Sequence, residues 1–128
     1  MRPDVPGVIL DAGALVTARS STYLRTIIRV YAREDRPIVV PATALVIAAA
    51  TGQIEAAELD PPEITVTALT QATAPAVALL MASATRPVPI EVAHAAYEAS
   101  ATGYPVVMTD AAWYSDLAVR VDVEQLPT

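Results

Sequence analysis

The segment Val8-Ile9-Leu10-Asp11-Ala12-Gly13-Ala14-Leu15-Val16 opens as an unbroken apolar run, stops at one carboxylate and passes at once to Gly13. Such a run reads as a parallel strand buried on both faces, its acid emerging at the carboxyl end. Open α/β sheets hold their ligands at that end. The pattern returns late in the chain. Tyr104-Pro105-Val106-Val107-Met108-Thr109-Asp110 is again a short apolar run closing on an aspartate, ahead of a helix-like Ala111-Ala112-Trp113. If both strands lie in one parallel sheet, Asp11 and Asp110 meet at one edge.

Between them the periodicity alternates. Ser20-Ser21-Thr22 supplies N-cap candidates for a helix over 22–33, in which Tyr23, Leu24, Ile27, Ile28 and Tyr31 share one face. Arg25, Arg29 and Arg33 fall four apart on the other. Glu34-Asp35-Arg36-Pro37 ends this helix, because a residue before proline disfavours the helical region. Ile38-Val39-Val40-Pro41 is extended, Ala42 to Ala50 is a small apolar helix, and 53–63 is an acidic linker containing Pro61-Pro62. Ile64-Thr65-Val66-Thr67 alternates like a strand, and Thr70 opens an Ala-rich helix over 71–84 with Pro75 in its first turns. A further helix spans 90–102 with Gly103 as its stop. A short helix ending near Asp116 and a last strand over 118–123 close the chain. Strands separated by helices predict one three-layer α/β/α domain over 1–128, around a central, mainly parallel sheet.

Composition narrows the chemistry. Hydrophobic residues make up 54% of the chain, much of it alanine, yet no run reaches the length of a spanning helix, so a soluble, cytoplasmic protein without membrane contact is expected. The absence of cysteine excludes thiolate metal sites and the single histidine excludes multi-imidazole ones. Any metal would be a hard ion held by oxygen. The net charge of −6 makes the chain a poor non-specific binder of nucleic acid, but residues 1–36 hold Arg2, Arg19, Arg25, Arg29, Arg33 and Arg36 against only four acids. The ordinary account of the Arg25/Arg29/Arg33 stripe is a solvated helix surface. The sharper one is a docking strip for an acidic protein segment or for RNA phosphate.

Two converging aspartates are the minimum of a divalent-cation site for Mg²⁺ or Mn²⁺. Each also has a local structural use: Asp11 in bonding turn N–H groups, Asp110 in capping the helix that begins at Ala111. Glu91, His94 and Glu98 share a helix face at i, i+3 and i+7, most simply a solvated surface and alternatively a carboxylate–imidazole metal site. Trp113 and Tyr114 read as packing or interface groups, having no basic surroundings.

Four segments together resemble the PIN domain, as found in VapC-like toxins of toxin–antitoxin pairs: Val8 to Leu15, Val39-Val40-Pro41-Ala42-Thr43, Val92-Ala93-His94-Ala95-Ala96, and Val106 to Asp110. The resemblance covers nearly the whole chain. It implies a PIN-like fold and, where the acid set is complete, a metal-dependent ribonuclease whose clustered carboxylates hold Mg²⁺ or Mn²⁺. Asp11 and Asp110 match two of the family's acids. The other two positions fall on Ile47 and Val92, and the serine or threonine expected two residues before the last aspartate falls on Met108, with Thr109 displaced by one. Glu91 and Asp116 are the candidate substitutes, although one helical step from Val92 rotates Glu91 by about 100° and aims it away from the cleft. Ile47 and Val92 are expected to line that cleft with methyl groups.

The resemblance therefore implies a degenerate PIN-like protein that acts through partner binding: a homodimer that pairs with an antitoxin-like protein by way of Arg25, Arg29 and Arg33. The alternative is a weak Mg²⁺- or Mn²⁺-dependent ribonuclease using Asp11 and Asp110. RNA binding without cleavage is a third reading.

Overall fold

The computed structural model describes residues 6–52, 54 and 64–127. Five strands, β1 (Val8–Leu10), β2 (Ile38–Pro41), β3 (Ile64–Thr67), β4 (Val106–Met108) and β5 (Val123–Gln125), form one sheet in the order β3-β2-β1-β4-β5. Every pairing is parallel, so the sheet is wholly rather than mainly so. The helices are α1 (Ala12–Val16), α2 (Thr22–Arg33), α3 (Ala42–Ala50), α4 (Ala74–Ser83), α5 (Ile90–Thr102) and α6 (Ala112–Ser115).

Side-chain alternation along the central strands divides the core in two. Val8 and Leu10 of β1, Ile38 and Val40 of β2, and Val107 of β4 pack with Leu24, Ile27 and Tyr31 of α2. Ile9, Val39, Val106 and Met108 face the opposite way, onto Val77 and Leu80 of α4 and the alanine-rich face of α5. Because both faces are covered, the three central strands β2, β1 and β4 carry no polar residue, whereas the edge strands β3 and β5 hold Thr65, Thr67, Glu124 and Gln125. This is the α/β/α layering expected of alternating strand and helix patterns.

The elements follow local signals closely. Ser21 caps α2 by accepting the Leu24 N–H at 3.1 Å. Gly103 closes α5 in the left-handed region at φ 77°, open to glycine without a Cβ penalty. Three departures from expectation stand out. α4 starts only at Ala74, because Thr70 and Thr73 bond each other's backbone N–H in a turn ahead of it. The last strand is Val123–Gln125 rather than 118–123, since only there does the chain reach β4, pairing Val106 with Val123. α1, which follows β1 at once, has no counterpart in the periodicity reading. The expected acidic linker lies outside the described residues except for Ile54, which is buried.

Strand order fixes where a ligand can go. From β1 the sheet continues to β2 and β3 on one side and to β4 and β5 on the other. The chain reverses its direction of winding at the seam between β1 and β4, and open sheets of this kind open a crevice at the carboxyl ends there.

Candidate functional site

Asp11 follows β1 and Asp110 follows β4 by two residues, so both emerge at that seam. Together with Ala12, Gly13, Pro89, Glu91, Val92, Thr109 and Trp113 they line a cavity of about 110 Å³. This is room for a few water molecules, not for a drug-sized ligand.

Asp11 is buried and fully engaged by its own chain. One carboxylate oxygen accepts the Ala14 N–H at 2.8 Å, capping α1. The other accepts the Tyr114 hydroxyl at 2.7 Å. Burial outweighs these bonds and pushes the Asp11 carboxyl up to about 6, with the nearby charge of Glu91 adding to the rise. Tyr114 is driven far above the usual phenol range, first by burial and then by the charge of Asp11, so it serves as a hydrogen-bond donor. Asp110 is exposed and accepts the Ala112 N–H at 3.0 Å, which steadies the start of α6. The structural use expected of Asp11 is thus present, whereas Asp110 is not the cap of α6, which starts at Ala112 with Ala111 as its N-cap; the two aspartates nevertheless converge on one cavity.

Glu91 corrects an expectation. It lines the cavity together with Val92 instead of pointing elsewhere. The cavity lies over the first turn of α5 rather than beside the helix, so that Pro89, Glu91 and Val92 all border it. Val92 does put methyl groups into the lining. Ile47 does not: it stands 40% exposed on α3, away from the cavity.

Asp116 is not among the residues that line the cavity. Its carboxylate accepts Arg86 Nε at 2.8 Å and the Thr85 hydroxyl at 3.1 Å, pinning the turn after α4 to the end of α6. The Arg86 bond holds its carboxyl below the usual range. The expected Glu91/His94/Glu98 surface divides in two: Glu91 borders the cavity, while His94 and Glu98 are buried between helices. Among the described residues no group of three or more His, Cys, Asp or Glu is arranged to hold a metal ion.

Glycine at 13 is required by close approach. A Cβ there would stand 2.5 Å from the Thr109 hydroxyl oxygen and 3.4 Å from an Asp11 carboxylate oxygen. Thr109, one position off the expected hydroxyl, thereby packs across the seam onto Gly13. Tyr114 is the site residue that sequence reasoning missed. The available signal was its place one turn into a helix that begins at the sheet edge, directly after Asp110.

The arginine stripe is real. Arg25, Arg29 and Arg33 are exposed along α2, spanning about 12 Å at 1.5 Å per residue. Arg25 turns back on its own chain, donating to the Arg19 carbonyl at 2.6 Å and to the Thr22 hydroxyl at 3.4 Å. Arg29 and Arg33 have no hydrogen-bond or ion-pair partner among the described residues. No helix among these residues is long and apolar enough to cross a membrane.

Neither a comparison with protein-family models nor one with curated proteins finds a match for this chain.

Proposed function

We propose that this chain is a PIN-like domain with an incomplete acid set, acting in the cytoplasm by binding a partner rather than by cutting RNA. The observation that carries this reading is the state of Asp11. It is buried, and both its oxygens accept hydrogen bonds from the chain itself, which leaves fewer lone pairs for a metal ion. Val92 in the cavity wall adds an apolar surface where a further ligand would be needed.

The partner surface is α2. Arg29 and Arg33 offer two free guanidinium groups on a rigid helix, suited to carboxylates of an antitoxin-like acidic segment. A second copy of the chain is the other partner, and exposed Val46 on α3 and Leu79 on α4 are the apolar side chains such a homodimer would cover.

A second reading has one observation in its favour. Glu91 joins Asp11 and Asp110 around the cavity, and Mg²⁺ or Mn²⁺ can bind through one or two carboxylates while keeping its waters, with substrate phosphate completing the shell. That arrangement would give a weak metal-dependent ribonuclease. Calorimetric titration with Mn²⁺ at pH 7.5, beside incubation with structured RNA, separates the two. The partner-binding reading expects no saturable heat at millimolar Mn²⁺ and no cleavage. Cleavage that disappears in Asp11→Asn would overturn it.

A further inference from the structure

His94 is the chain's single histidine, and it is wholly buried in the middle of α5. Its Nδ1 lies 2.8 Å from the Thr43 hydroxyl oxygen of α3. Its Nε2 lies 3.4 Å from a carboxylate oxygen of Glu98, one turn further along α5 and itself buried. The order of the groups selects the tautomer. A carboxylate facing Nε2 favours the proton there, which leaves Nδ1 bare to accept the Thr43 O–H.

The surroundings make this row unusual. The elements packed most heavily against α5 are α3, α4, β1, β2, β4 and α6. None of them contains an Asp, Glu, Lys, Arg or His, and their one titratable side chain, Tyr114, is bonded to Asp11. On α5 itself, Glu91 faces the cavity. Among the described residues, Glu98 is the one charge that acts on the imidazole.

We propose that Thr43, His94 and Glu98 form a pH-operated latch, which fastens α3 to α5 while the imidazole is neutral and loosens when it takes a proton. A proton on Nδ1 removes the acceptor that Thr43 bonds, so the hydroxyl must turn to accept instead. It also places a cation in an apolar interface, where its Nε2 lacks a well-formed hydrogen bond to the only counter-charge. Burial holds His94 below the usual imidazole range, overcoming the opposing pull of Glu98. A folded value below the unfolded one means that the native state is fully supported above the unfolded pKa of about 6.5 and loses support as the pH falls below it. The same helix carries Glu91 and Val92 in its first turn, and α3 also packs on α1, which Asp11 caps. Loosening the α3–α5 contact therefore relaxes two walls of the cavity. The inference rests on the fold and not on the PIN-like reading.

A lone histidine gives unambiguous imidazole signals in ¹H–¹⁵N NMR. The expected results are a neutral form with its proton on Nε2, a midpoint below 6.5, and loss of amide-exchange protection in α3 and α5 over the same pH range. A midpoint at or above 6.5, a proton on Nδ1, or unchanged protection would each overturn the latch. Thr43→Val removes the donor that favours the neutral ring, so the midpoint should rise by about half a unit to one unit. Glu98→Gln should lower it. A midpoint unmoved by Thr43→Val also overturns the proposal.

Discussion

Replacing Asp11 by asparagine should stabilise the protein at neutral pH while removing the group on which its site is built. The wild-type carboxyl sits at about 6 in the folded chain against an ordinary value of 3.8. At pH 7.5 it is ionised in both states, and each unit of upward shift costs the folded state about 1.4 kcal/mol, so the penalty for holding the buried charge is on the order of 3 kcal/mol. Asparagine keeps the oxygen that caps α1 at Ala14 and can donate to the Tyr114 oxygen, so about half or more of that penalty should return as stability. The sign follows from proton counting. Between about pH 4 and 6 the folded state holds a proton that the unfolded state has released, so wild-type stability gained through Asp11 rises as the pH falls through 6. It is lost again as the pH rises. Any contribution of His94 has the opposite sign but is common to both proteins and cancels in their difference. Urea unfolding at pH 4.5, 6.0 and 7.5 with a shared m-value reads the effect directly. The reasoning fails if the variant is less stable than wild type at pH 7.5, or if the stability difference between the two does not shrink towards pH 4.5.

Gly13→Ala should destabilise the fold by about 1–3 kcal/mol, because the new methyl collides with the Thr109 hydroxyl. Thr109→Ala in the same chain should recover most of that loss, and a double-mutant cycle in urea showing no coupling would refute the contact. Replacing Arg29 and Arg33 together by alanine should leave thermal stability within about 0.5 kcal/mol of wild type, as expected for exposed charges. It should also abolish salt-sensitive association with an acidic peptide. Equal affinity for the two proteins in a fluorescence-anisotropy titration would remove α2 as the partner surface.

Sheet and helices were legible because two periods rarely conflict in this chain. β1, β2 and β4 are short apolar runs closed by Asp11, Pro41 and Thr109, and α2 and α5 carry strong start and stop residues in Ser21 and Gly103. The last strand was misplaced because Val119, Val121 and Val123 alternate whether or not a neighbouring strand is present, and alternation does not encode register. α1 was missed because Asp11 serves as strand end and helix cap at once, leaving no spacer to mark a new element. At the site, convergence of Asp11 and Asp110 was readable from strand ends alone. The role of Glu91 was not, because it depends on whether a cavity lies beside a helix or over its end. Nor was the burial of His94 and Glu98. Polar residues at i and i+4 look solvated in sequence, and only the packing of other elements around α5 hides both from water.

The seam between β1 and β4 sets Ile9 beside Val106, almost the whole chain later. A nascent polypeptide leaving the ribosome therefore displays Asp11 long before the opposite wall exists, and it has no cavity until β4 is released and docks. A fragment ending before Tyr104 would lack it altogether, however well β1, β2 and β3 had paired.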